Sequence, residues 1–321
     1  MLRSTALISA LLLFAQPVLA DDAVRERPAD QTVDGAIIAG ALAASLASMA
    51  LSPGDRAPWN TQLLGPLDEA VFDQFSPGAA QLSDLLLTAA IAAPAVYLTG
   101  SRIEDADGDR LVLYGETLAV DLALVQIAKH LFHRPRPYTY NDSAEARRFA
   151  ATAGDDSWRS FYSSHAAMSF AAAVAGAYLL AESSAEPYER AVAWASGFAL
   201  AAATSNLRVR AGRHFYSDVL VGGLIGTAVG YAVPALHADG KRYEVSRNDL
   251  AMAGVGLIGG ALISELIPLD EARDAHPPAV IVDRVQLGPL AVRDGGGLAI
   301  TGRVRSRWNR MPLSQRPAAP N

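Results

Sequence analysis

The stretch Ala166-Ala167-Met168-Ser169-Phe170-Ala171-Ala172-Ala173-Val174-Ala175-Gly176-Ala177-Tyr178-Leu179-Leu180-Ala181 decides the fold class. It is almost wholly apolar, rich in Ala, free of Pro, and too long for a buried strand. Segments of the same kind recur at Val33–Leu51, Leu82–Gly100, Leu111–Ala128, Ala191–Leu207, Val219–Leu236 and Leu250–Leu266. Pro and Gly punctuate the gaps, as in Ser52-Pro53-Gly54 and Ser76-Pro77-Gly78. No strand array and no internal repeat interrupts the series. The class is therefore all-α, a helical bundle of about six core helices over residues 33–268.

The ends read differently. Before Asp21 the only charge is Arg3, an apolar run spans Ala6 to Phe14, and Val18-Leu19-Ala20 offers small residues at the positions a signal peptidase reads. Residues 1–20 are predicted to be a cleaved signal peptide, and 21–32 a polar lead-in. Beyond the bundle, Ala279–Val285 and Leu298–Val304 are β-like on either side of Arg293-Asp294-Gly295-Gly296-Gly297. Residues 269–321 read as an extension with a small C-terminal β-hairpin and a disordered tail.

Composition narrows the function classes. Of 321 residues 51% are apolar but only 7% aromatic, which excludes a disordered chain. Cys is absent, so disulfides, thiolate metal sites and Cys nucleophiles are excluded. With 27 basic against 33 acidic residues the net charge is −6, and nucleic acid is not an expected partner. The mean hydropathy of +0.17 lies between soluble enzymes and multi-span membrane proteins. Ala-rich helices of marginal length, one of them carrying Glu116 and Asp121, fit either a soluble bundle or a membrane bundle.

Cations and imidazoles gather at three places: Lys129 to Pro137, Ser160 to His165, and Arg208 to Asp218. The first ends the third apolar helix, the second opens the fourth, and the third joins the fifth to the sixth. An up-and-down bundle brings all three to one end, while the acidic runs 104–109 and 182–189 go to the other. A positive site on a net-negative protein calls for an anion. Lys129, Arg136 and Arg208 supply cations suited to phosphate oxygens, Ser163 a hydroxyl, and the amides of Ser164 and His165 a helix N-terminus. No acidic cluster beside them suits a divalent metal, so neither metal nor cofactor is expected. His214 and Asp218, four apart at a helix start, share a face. An Asp on one imidazole nitrogen leaves the other to attack phosphorus, and His165 is placed to protonate the departing oxygen. Taken singly, each motif has a plainer reading: a surface ion pair, a basic loop, an N-cap. Their occurrence in order at one bundle end carries the functional one. His130, His133, Arg134, Arg210 and Arg213 read as flanking residues, and His237 and His276 as surface ones.

These residues resemble the phosphatidic acid phosphatase type 2 and vanadium haloperoxidase superfamily, whose signature is Lys-x6-Arg-Pro, Pro-Ser-Gly-His and Ser-Arg-x5-His-x3-Asp. Lys129 is followed at that spacing by Arg136-Pro137, and Arg208 by His214 and Asp218. Tyr162, Ser164 and Leu207 depart from the pattern. The resemblance covers roughly residues 80–236. It implies that Lys129, Arg136, Ser163, Ser164 and Arg208 hold phosphate, that His214 becomes phosphorylated, that Asp218 orients it, and that His165 is the acid. The function it implies is hydrolysis of a phosphorylated lipid of the bacterial envelope. The alternatives are a soluble periplasmic phosphatase of broad specificity acting on small phosphate esters, a haloperoxidase, or a non-catalytic envelope protein with an inherited site. The expected location is the periplasm, membrane-associated or membrane-embedded. With the signal cleaved, spanning helices would put the site on the cytoplasmic side, so the simplest expectation is a bundle exported whole.

Overall fold

A computed structural model describes residues 25–26, 31–50, 65–100, 107–182, 185–239, 242–269, 280–292 and 295–306. The expected signal peptide, the tail after residue 306 and His276 lie outside the described residues. All the expected apolar segments form helices: α1 Gln31–Ala50, α3 Pro77–Gly100, α4 Asp107–Phe132, α6 Ser164–Glu182, α7 Pro187–Arg210, α8 Tyr216–His237 and α9 Arg247–Leu266. Two shorter helices, α2 Pro66–Glu69 and α5 Ala144–Ala153, lie in segments the apolar pattern left unread. The class is all-α. Strand pairs accompany it, Arg25–Glu26 with Ala238–Asp239 and Val280–Val292 with Gly295–Ser306, both antiparallel.

Local signals set the helix starts. Ser76 caps α3, its Oγ accepting from the Ala79 amide, and Pro77 fits the first turn. Ser143 caps α5 in the same way, through Ala146. Glu186 and Glu189 box the start of α7, and Ser246 and Asp249 that of α9.

Helix α6 is the core, packed against α3, α4, α7 and α8. It carries Ala at most buried positions, so its neighbours approach closely. On α8, Gly222, Gly226 and Gly230 lie so near the backbone of Ser163, Ala167 and Ala171 that a Cβ would collide. Gly256 and Gly260 of α9 meet Ala195 and Ala199 of α7 likewise.

Contacts fix which ends meet. Ser48 near the end of α1 donates to Gln126 near the end of α4, so these helices run parallel. At the far end Arg190 of α7 and Asp249 of α9 pair 3.1 Å apart. Arg210, ending α7, donates to the carbonyls of Ser264 and Ile267 at the end of α9. One end therefore gathers the finishes of α1, α4, α7 and α9 with the starts of α3, α6 and α8. The other gathers the first turn of α1 and the last turn of α8.

The outside of the bundle is apolar. Leu85 and Val96 on α3, Leu131 on α4, Leu220 on α8, and Ile258 and Leu262 on α9 are all more than half exposed. Among the described residues, five helices are long and apolar enough to cross a membrane.

Candidate active site

All three clusters meet at the first of these ends. Lys129 lies in the last turn of α4, Arg134 and Arg136 in the segment after it, and Arg208 in the last turn of α7. Ser163 precedes α6, Ser164 and His165 open it, and Asp218 lies in the first turn of α8. The turn from α7 into α8 hinges on Gly212, whose φ of +66° and contact with the Gln74 carbonyl leave no room for a Cβ. Its carbonyl accepts from the Tyr138 amide at 3.0 Å, tying this turn to the segment that carries Arg136.

His214 is fully buried. Its Nδ1 lies 2.8 Å from the carbonyl oxygen of Ser160. A carbonyl only accepts, so Nδ1 carries the proton and Nε2 the lone pair. Nε2 accepts from Nη1 of Arg136 at 3.1 Å. Burial, then the positive charges of Arg136, Arg208 and Lys129, hold the imidazole's pKa well below its ordinary value. The ring is thus neutral, with its basic nitrogen turned to the cations.

His214 lies two residues before α8, so it and Asp218 do not share a helix face as the spacing predicts, and Oδ2 of Asp218 is 3.7 Å from Nδ1 of His214, too far for a hydrogen bond. Oδ2 instead accepts from Ser160 Oγ at 2.6 Å and from the Phe215 amide at 2.9 Å. Oδ1 pairs with Arg134 at 2.6 Å. The direct Asp–imidazole bond expected from the spacing is therefore replaced by an indirect one: Asp218 fixes Ser160, and the Ser160 carbonyl holds the ring. Arg134 is no mere flanking residue. It also pairs with Asp68 of α2 at 2.9 Å and stacks 4.2 Å over the Phe215 ring.

Arg136 is held on every side. Its Nε donates to the Asp156 carbonyl and its Nη2 to Asp156 Oδ1, both at 2.8 Å, and its Nη1 to the Arg213 carbonyl at 2.9 Å. Burial raises the pKa of Asp156, but the charge and hydrogen bond of Arg136, with Lys129 and Arg213, outweigh it and hold the carboxyl below its usual range. Arg213, expected only to flank the site, lies 3.9 Å from Asp156.

Lys129 Nζ reaches Ser164 Oγ at 3.3 Å, so the hydroxyl that departs from the family pattern here faces the cation cradle. Ser163 Oγ accepts from the Ala166 amide at 3.3 Å, an N-cap, which leaves its own proton to donate. The plain N-cap reading and the phosphate-binding reading are thus compatible. The amides of Ser164 and His165 precede the first i→i−4 bond of α6, from Ala167 to Ser163.

Asp84, on α3, was invisible to motif reasoning. Its Oδ1 lies 2.7 Å from His165 Nε2 and 3.3 Å from Arg208 Nη1. It is the lone charge between Leu82 and Gly100, which was the signal available. The cations Lys129, Arg136, Arg208 and Arg213 outnumber Asp84 and Asp156, and the excess of positive charge suits a phosphate group.

A family model described as the PAP2 superfamily matches residues 110–242, a span that holds every expected site residue. No curated protein and no solved structure matches the chain.

Proposed function

As residues 110–242 belong to the PAP2 superfamily, we propose that the protein hydrolyses a lipid phosphate through a phosphohistidine. The observation that carries this is the neutral, buried His214 whose Nε2 faces a cradle of cations. Nε2 attacks phosphorus, forming a P–N bond as the P–O bond to the leaving group breaks. His165 gives the departing oxygen its proton, and Asp84 orients His165. Water then attacks the phosphohistidine, His165 takes the water's proton, and inorganic phosphate leaves. Lys129, Arg136 and Arg208, with the Ser163 hydroxyl and the amides of Ser164 and His165, hold the phosphoryl oxygens throughout. The direct test is phosphate release from a panel of lipid and water-soluble esters, with and without detergent. Turnover confined to soluble esters would replace this reading with a broad-specificity phosphatase.

The lipid assignment is supported by the surface. Exposed Leu85 follows Asp84 directly, and exposed Leu220 lies two residues beyond Asp218. Exposed apolar residues occur on α1, α3, α4, α8 and α9 around the buried α6, not on one face. A belt of this kind favours a bundle that spans a membrane over one exported whole and resting on it. The finer division of the chain belongs to the same reading: signal peptide 1–20, lead-in 21–32, phosphatase domain 33–268 with a core of about six helices, and an extension at 269–321 with its hairpin, in the bacterial envelope.

A spanning bundle puts the lead-in and the active site on opposite sides. The Cys-free chain makes this simple to check. Asp22→Cys and Asp142→Cys, labelled in intact cells with an impermeant thiol reagent, are expected to differ in accessibility. Equal labelling of both would restore the exported bundle.

A further inference from the structure

At the end away from the active site, three helices converge on a second histidine. Asp34 in the first turn of α1, Glu116 of α4 and His237 in the last turn of α8 bring one ligand atom each within 4.8 Å of one another. His237, read from the sequence as a surface residue, is half-buried, and the two carboxylates are almost fully buried. Its Nδ1 lies 3.0 Å from the Val233 carbonyl, one turn back. A carbonyl only accepts, so Nδ1 holds a proton. The lone pair of a neutral ring then sits on Nε2, facing Asp34 Oδ1 at 3.2 Å and Glu116 Oε2 at 3.6 Å. Asp34 Oδ2 and Glu116 Oε2 have no hydrogen-bond partner. Two buried carboxylates facing a lone pair repel unless a cation lies between them.

We infer that Asp34, Glu116 and His237 form a binding site for a divalent transition-metal ion such as Zn²⁺. The two separations from Nε2 suit it. Ligands about 2.0–2.1 Å from a tetrahedral zinc lie about 3.3–3.4 Å apart, close to both separations from Nε2. One imidazole with two carboxylates is a borderline donor set, which favours zinc-like ions over Mg²⁺ or Ca²⁺, whose sites are built from oxygen alone. The Val233 carbonyl supplies the outer hydrogen bond that orients a ligating imidazole. A water completes four-coordination. The ion staples α1, which packs mainly on α4, to the end of α8. It lies at the opposite end from His214 and takes no part in phosphoryl transfer.

The other way to relieve the repulsion is a second proton on His237, and the experiment separates the two. The full-length chain, untagged and in detergent, is stripped with EDTA and titrated at pH 7.5 with Zn²⁺, and separately with Co²⁺ as a spectroscopic probe. One Zn²⁺ per chain is expected, with the intense visible absorption of four-coordinate Co²⁺ and a rise in melting temperature. Asp34→Asn and Glu116→Gln should each weaken binding at least tenfold, and His237→Ala should abolish it. Absence of uptake by the wild-type chain assigns the cluster to a protonated His237 and overturns the proposal without recourse to any variant. Binding that survives His237→Ala, or that is lost in a His130→Ala/His133→Ala chain instead, overturns it equally.

Discussion

His214 and His237 sit at opposite ends of the bundle and are held in the same way. In each, Nδ1 donates to a backbone carbonyl, Ser160 in one case and Val233 in the other. In each, that bond turns Nε2 toward a charged group. What differs is the sign: Arg136 lies before His214, carboxylates before His237. A backbone carbonyl fixes the tautomer, and the surrounding charge then selects the ligand. Cations around a lone pair draw a phosphate onto it, while anions around a lone pair draw a metal ion. An i,i+4 carboxylate at the active site is not needed as the direct partner of the imidazole. Its place in the structure is one bond further out.

The largest effect expected from this contrast is at His214. His214→Ala removes the proposed nucleophile and should lower kcat by at least about four powers of ten, measured as phosphate release at saturating substrate. Retained turnover would transfer the chemistry to another residue and dissolve the comparison, since Nε2 would then be an ordinary acceptor for Arg136.

How much of this could be read without a structure depends on the range over which each contact acts. Lys129, Arg136, Arg208, His214 and Asp218 were legible because they sit at the ends of apolar helices in a fixed order, and a bundle brings alternate ends together. The helices themselves were legible from apolar runs bounded by Pro and Gly. Helix α5 was not, because its short amphipathic sequence has no apolar run; its Ser143 cap was the one signal. Asp84 and His165 meet across 81 positions, and Asp34 and His237 across 203, so no spacing could pair them. Glu116 stood out only as a costly charge in an apolar helix, and that charge lies beside His237 of α8 and Asp34 of α1. The Ser160 carbonyl was illegible in principle, since any residue presents the same backbone oxygen.

A smaller effect separates orientation from chemistry at the active site. His165 differs from His214 in that its Nε2 meets a side-chain carboxylate, that of Asp84, and not a guanidinium. Asp84→Ala should lower kcat on alkyl phosphates by about tenfold to a hundredfold, the value of one charge-assisted hydrogen bond. Aryl phosphates, whose leaving oxygen needs little protonation, should be affected much less. His165→Ala should give the same pattern more strongly, and adding Asp84→Ala to it should cost nothing further. An equal loss on both substrate types would make Asp84 a structural contact and not the positioning residue of the acid.

The smallest effect concerns stability and tests whether the cations act on His214 as claimed. Burial and the charges of Arg136, Arg208 and Lys129 keep the folded imidazole neutral at pH values where the unfolded one binds a proton. The unfolded state therefore holds more protons below the ordinary histidine pKa of about 6.5, and stability falls as pH drops through it. The slope is about 1.4 kcal/mol per pH unit, so this one group costs at most about 2 kcal/mol between pH 6.5 and 5. His214→Asn keeps a donor for the Ser160 carbonyl and has nothing to titrate. Melting temperatures of the two chains, in detergent and phosphate-free buffer, should hold a constant difference from pH 8 to 7. Below pH 6.5 the wild type should lose ground to His214→Asn. Parallel curves down to pH 5 would mean that His214 takes up its proton in the folded protein, and that the cations before Nε2 do not hold it neutral.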